Sequence, residues 1–120
     1  MNSRQISVSI AASPAVVYEF ASNPANLPKW AAGLTKSAKV EFAERNHRGV
    51  LDHVVTLPSG KMVMVPLRVF RKDEGSEVIL TLIPTPDMSD AQFEKDAGRI
   101  QKDLAALKKA IGLVKAGPST

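Results

Sequence analysis

Few side chains in this sequence can move a proton or hold a charged group inside a fold. His53, Arg68, Glu77 and Thr81 recur at strand-like spacing among Met62, Met64, Phe70 and Ile79. A two-residue loop at Ser59-Gly60 would set His53 opposite Pro66 and Leu51 opposite Arg68. A turn at "KDEG" would set Arg68 opposite Glu77. One face then holds His53, Arg68, Glu77 and Thr81, and the other holds Asp52, Val63, Val65, Leu67, Val69, Val78, Leu80 and Leu82. A slip of one residue would move any of these strands to the opposite face. If the first face lines a cavity, Arg68 can hold a carboxylate or enolate oxygen and His53 can move a proton. If it faces water, Arg68 and Glu77 form a cross-strand ion pair of about 0.2–1 kcal/mol, and His53 is a surface or satisfied histidine. The second use is favoured, because burying Arg and Glu costs several kcal/mol per ion before compensation.

The other candidate groups are weaker. Asp52 and His53 are adjacent in a strand, so their side chains point to opposite faces and do not form a dyad. His47 and His53 lie near Glu44 and Asp52, but the spacing matches no ligand motif and zinc needs three or four converging ligands. No metal is expected. No nucleophile elbow, phosphate loop or dinucleotide fingerprint is present, and no cofactor is expected. Met62 and Met64 read as packing rather than as pliable pocket lining. Trp30 is the single Trp, set in "LPKWAAGL". It reads as a core plug in preference to the exposed anchor of a dimer, since Trp is highly buried on average.

The elements that position these residues follow from periodicity. Residues 4–11, "RQISVSIA", alternate with Ile6, Val8 and Ile10 on one side, which predicts a half-buried strand. Ser13 and Pro14 supply an N-cap and a first-turn proline for a short helix with Val16, Val17 and Phe20 inward. "NPANLP" breaks it, and a second short turn of helix carries Trp30. Strands follow over "SAKVEFAE", "RGVLDHVVTL", "KMVMVPLRVFR" and "EVILTLIPT", with Pro66 marking an edge or bulge. Ser89 caps a long last helix, with Gln92 completing a capping box. Phe93, Ala97, Ile100, Leu104, Leu107 and Ile111 form its apolar stripe, with Asp96, Arg99, Lys102 and Asp103 away from it, and Gly112 suits a stop. A block of antiparallel strands closed by one helix predicts an α+β fold with the helix on one face of the sheet.

Bulk properties bound the rest. The chain has 120 residues, 44% hydrophobic and 23% charged, which fits one folded domain rather than disorder. We expect a domain over 1–114 and a frayed tail over 115–120. There is no Cys, which excludes disulfides and thiolate chemistry. No run of residues has the length or apolarity of a secretory signal or a membrane span, so the expected address is the cytoplasm. The net charge is +4, but Lys and Arg are scattered along the sequence, which argues against nucleic acid as a partner.

The stretches "SPAVVYEFASNPANLPKWAAGL", "GVLDHVVTLPSG", "PLRVF", "GSEVILTL" and "MSDAQFEKDAGRIQKDLAALK" together cover most of the chain. Through them the sequence resembles the START-like helix-grip (SRPBCC) superfamily, and within it small bacterial polyketide cyclase-like proteins. The resemblance implies an antiparallel sheet wrapped on the long C-terminal helix, with two short helices after the first strand. Relatives of this kind usually carry two further strands after the Trp segment, where "AAGLTKSAKVEFAERN" connects almost directly, so a shortened sheet is expected.

Three functions are then expected in order. The first is binding of a small apolar or aromatic molecule, lipid- or polyketide-like, by Trp30, His53, Arg68, Glu77, Thr81, Phe93, Ala97 and Ile100. The second is a cyclase, dehydratase or aldolase-type enzyme using His53 and Arg68. The third is a homodimeric interaction module without a ligand.

Overall fold

In a computed structural model, the structure describes residues 2–31 and 39–115, the side chains as far as 113. Strand β1 (Arg4–Ile10) leads into helix α1 (Pro14–Ser22), a single 3-10 turn (Pro24–Asn26) and the short helix α2 (Leu27–Trp30). Strands β2 (Lys39–Phe42), β3 (His53–Thr56), β4 (Met62–Val65), β5 (Leu67–Lys72) and β6 (Gly75–Leu82) follow, and helix α3 (Asp90–Lys115) ends the chain. The fold is α+β, with antiparallel strands in the orders β1-β6-β5 and β2-β3-β4. Residues 32–38 of the connection read as shortened lie outside the described residues, as do residues 116–120 of the tail.

The local signals explain the helices. The Ser13 hydroxyl accepts from the Val16 N–H, and Pro14 opens α1 where a missing N–H costs nothing. Val17, Tyr18, Phe20 and Ala21 are buried along α1, whereas Val16, expected inward, is 43% exposed. Ser89 caps α3, accepting from the Gln92 N–H at 3.1 Å. The Gln92 side chain does not complete the box; it donates to Asp96 Oδ1 at 2.8 Å instead. The stripe from Phe93 to Ile111 is buried as expected. Gly112 does not stop α3, which runs on to Lys115. Glycine costs a helix only about 1 kcal/mol.

The sheet departs from the expected register, and one loop is the reason. The β3–β4 connection has three residues, not two: the Leu57 N–H donates to the Lys61 carbonyl at 2.8 Å, and Gly60 closes the turn with φ +90°. The extra residue shifts the hairpin by one. His53 pairs with Val65 rather than Pro66, and Val50 rather than Leu51 lies opposite Arg68. Because side chains alternate, this one-residue change turns His53 to the face of Val55, Val63 and Val65. The β5–β6 loop is Asp73-Glu74, with Asp73 at φ 53°. It places Arg68 opposite Ile79 and Glu77 opposite Phe70, a shift of two that keeps the face unchanged.

The expected strand over residues 61–71 is broken at Pro66, yet its path continues. The Val50–Arg68 bridge keeps the register of His53–Val65, so β4 and β5 face the same partner segment in succession. Proline has no N–H for the ladder. Around it, the Leu51 N–H donates to the Leu67 carbonyl at 2.8 Å, but the Leu67 N–H turns to Asp52 Oδ1 at 2.9 Å. Asp52 also takes the Arg68 guanidinium in two parallel bonds, Nε to Oδ1 at 2.9 Å and Nη2 to Oδ2 at 2.8 Å. Asp52 therefore lies on the outer face with Arg68 and not, as expected, with the Val/Leu face. That face, with Leu67, Val69, Val78 and Leu80, is buried.

Gly49 sits where the strands approach most closely. Its φ is +71°, and a Cβ there would lie 2.3 Å from the Val69 carbonyl oxygen. Gly60 shares the positive φ but has open space around it. Gly49→Ala is therefore expected to lose clearly more stability in urea unfolding than Gly60→Ala, which meets only the backbone cost of about 1–2 kcal/mol. Equal losses would contradict the close approach.

Asp52 has a second consequence. Its bonds to Arg68, and less so to the Leu67 N–H, hold its carboxyl below the ordinary carboxylate value despite partial burial. A carboxyl whose folded value is depressed adds stability above its unfolded value, lost as pH falls through the folded one. Asp52→Asn is expected to flatten the acid limb of a stability-against-pH curve below about pH 4. An unchanged acid limb would contradict this.

Candidate functional site

Helix α3 packs on β1 and α2. Between α3 and the β2–β3–β4 sheet lies a cavity of about 650 Å³. Its apolar wall comes from the inward positions of that sheet, Val40, Val55, Val63 and Val65, from Leu80 of β6, and from Leu27 and Trp30 of α2. Alternation explains the sheet side: with the hairpin in its observed register these residues share one face. The loop residues Thr85 to Ser89 and the Lys61–Asp87 ion pair, at 3.0 Å, border the cavity toward solvent.

His53 is the polar group on the sheet wall. It is 4% exposed, and its Nδ1–H donates to the Leu51 carbonyl at 3.0 Å. The Phe42 ring lies 5.3 Å away, tilted by 56°. Burial pushes the imidazole below the ordinary histidine value, against the smaller pull of the Leu51 bond and of Asp52. His53 is therefore neutral at pH 7, with its proton on Nδ1 and an acceptor at Nε2. No hydrogen bond to Nε2 forms among the described residues. The Leu51 carbonyl and the Leu67 N–H, which an undisturbed ladder would join, are thus both taken by side chains of the Asp52-His53 pair.

The opposite wall is a polar stripe on α3. Gln92, Asp96, Arg99 and Asp103 border the cavity along with Ile100. Gln92 holds Asp96, and Arg99 Nη1 reaches Asp103 Oδ2 at 3.2 Å. Burial raises the Asp103 carboxyl above its ordinary value, opposed by its charge pairing and hydrogen bond with Arg99. Asp96, Arg99 and Asp103, read from sequence as turned away from the core, are the polar groups that sequence reasoning missed. Their signal was present: steps of four, three and four residues from Gln92 form one helical stripe.

The structure gathers only part of the expected site. Trp30, His53, Thr81 and Ile100 border the cavity. Arg68 does not; it is 47% exposed on the outer face and paired with Asp52. Glu77 lies on that face too, and its partner is Lys72, at 3.0 Å, rather than Arg68. Outer-face ion pairing was the favoured sequence reading, with the wrong partner named. Phe93 is buried beneath the Arg4 guanidinium, 5.0 Å from the ring centre, and Ala97 is buried in the core. Neither borders the cavity. Trp30 is 5% exposed, so its ring is covered, and its indole N–H is buried without a hydrogen-bond partner among the described residues. Among the described residues no group of three or more His, Cys, Asp or Glu could hold a metal. No helix among them is long and apolar enough to cross a membrane.

No family model and no curated protein matches the sequence. Solved structures do match in shape. DynU16, a protein of the dynemicin biosynthetic locus, superposes with a TM-score of 0.75 at 11% identity over 93% of this chain. The chain spans only about half of that protein, 48% of its length. Ara h 8.0201 gives a TM-score of 0.57 at 13% identity, covering 92% of this chain and 97% of its own. The Aha1 dimer from Colwellia psychrerythraea gives 0.62 at 16% identity, covering 92% and 96%. At such identities the likeness speaks for the fold alone. Antiparallel strands closed over a long C-terminal helix, two short helices after the first strand and these neighbours together give the chain the helix-grip fold.

Proposed function

We propose that this chain binds a small apolar or aromatic molecule, lipid- or polyketide-like, in the cavity between α3 and the β2–β3–β4 sheet. The observation that carries the reading is the space itself. A cavity of about 650 Å³ falls in the range of ligand pockets, roughly 300–1,000 Å³. Its walls have the usual composition of such sites, aliphatic and aromatic with a few polar groups. The His53 Nε2 acceptor and the Arg99–Asp103 pair would orient the occupant from opposite walls. We place the activity in a single cytoplasmic domain over 1–114, supported by one continuous core and by the absence of cysteine.

A cyclase or dehydratase-type reaction is the second reading, and one observation favours it. His53 is buried, neutral and free at Nε2, which are the properties of a proton acceptor. The biosynthetic locus of DynU16 supports the same direction. Arg68 has no part in it, being on the far side of the sheet.

Trp30 borders the cavity and is the only Trp, so its emission reports an occupant directly. Titration with fatty acids, flavonoids and aromatic ketones is expected to give a saturable change with at least one class. Val63→Trp, which fills the cavity from β4, is expected to abolish binding with the fold retained by circular dichroism. His53→Gln is expected to weaken it several-fold, the worth of one neutral hydrogen bond of about 0.5–1.5 kcal/mol. Conversion of the bound compound by the wild type and not by His53→Gln would select the enzyme reading. No response to any of the panel at high micromolar concentration would remove both.

A homodimer is the third reading. Met62, Met64 and Phe70 are 66%, 54% and 51% exposed on the outer face. Light scattering is expected to show a dimer that Met62→Lys with Met64→Lys dissociates. A monomer at high concentration would remove this reading.

A further inference from the structure

Another cleft lies away from the cavity and does not depend on it. It has a volume of about 580 Å³ and lies between the start of α1 and the far ends of β5 and of the β2–β3 loop. Arg45, His47, Arg48 and Arg71 border it. Three of them share one loop, and the fold brings Arg71 of β5 to join them.

The loop that brings them is unusually well fixed. Asn46 Oδ1 accepts from the Arg48 and Val50 N–H groups at 2.9 and 3.1 Å. Its Nδ2 donates to the Glu44 and Val50 carbonyls at 3.0 and 2.9 Å. Its own N–H donates to the Tyr18 hydroxyl at 3.0 Å, tying the loop to α1. Arg45 is already engaged, paired with Glu19 and stacked over the Tyr18 ring. Arg48 and Arg71 have no ion pair among the described residues. A preorganised loop that carries Arg48 to a cleft also bordered by Arg71 of β5, neither of them ion-paired among the described residues, is organised for an anion.

We propose that this cleft binds a phosphate monoester dianion between Arg48 and Arg71, with His47 as a further donor. The charge decides between oxyanions. A carboxylate fills one guanidinium fork and neutralises one charge, whereas a phosphate monoester offers three oxygens and close to two negative charges at neutral pH. Arg45 remains with Glu19 and frames the cleft.

The test is a chemical-shift titration with inorganic phosphate and with phenyl phosphate, at constant ionic strength set by chloride. Saturable shifts confined to residues 13–19, 45–49 and 71 are expected. Arg48→Gln with Arg71→Gln, both at exposed positions, is expected to weaken binding by more than about tenfold, one charged hydrogen bond being worth about that factor. Thermal melting checks that this variant stays folded. Flotation with phosphatidic acid against phosphatidylcholine vesicles separates the sources: selective flotation assigns a lipid headgroup, and phosphate binding without flotation assigns a soluble monoester. Shifts that do not saturate, that spread over the chain, or that persist unchanged in the double variant would overturn the proposal.

Discussion

The Leu67 N–H ends on the Asp52 carboxylate because Pro66 interrupts the strand beside it, and the rest of the sheet is arranged around that bond. A buried or half-buried N–H without a partner costs about 1–3 kcal/mol. Asp52 supplies the partner, and the Arg68 guanidinium neutralises the charge that does so. The bidentate pair is half exposed and by itself worth about 0–1 kcal/mol. Its larger role is to keep Asp52 ionised as an acceptor for the backbone. With Asp52 committed outward, its neighbour His53 must face inward. There the Leu51 carbonyl, released from the ladder, receives the imidazole Nδ1–H. One proline thus leads to a charged junction on the outside and a neutral, oriented histidine on the inside.

The cavity and the core share the same sheet but differ in what covers it. Over β1, β5 and β6 the stripe of α3, with α1, closes on Leu67, Val69, Val78 and Leu80. Over β2, β3 and β4 the helix stands off, and the space between carries partly desolvated polar groups. Burial there raises the Asp103 carboxyl and lowers the His53 imidazole.

Much of the fold was legible in the sequence because the signals were local. Ser13-Pro14 and Ser89 start helices by satisfying the first N–H groups, and the α3 stripe buries itself wherever a sheet is offered. The site was only half legible. Trp30, His53 and Ile100 border the cavity, but the sequence groups His53 on one face with Arg68 and Glu77, since the face of His53 hangs on whether Pro58 belongs to the loop. Loop length changes the register by one and the pattern of apolar residues on either side of "LPSGK" tolerates both choices. The α3 polar stripe was read as a solvated face because a helix surface beside a core and one beside a cavity share the same periodicity. The basic cleft was invisible for a different reason: Arg71 joins Arg45 and Arg48 only in three dimensions.

The orientation of His53 carries the whole account, and nitrogen NMR of the imidazole tests it most directly. Long-range proton–nitrogen correlations at pH 7 are expected to show the Nδ1–H tautomer, neutral, with ring-proton Overhauser effects to Phe42 and Val65. An Nε2–H tautomer, a protonated ring, or Overhauser effects to the Met62 and Met64 methyls in their place would put His53 on the outer face and contradict it.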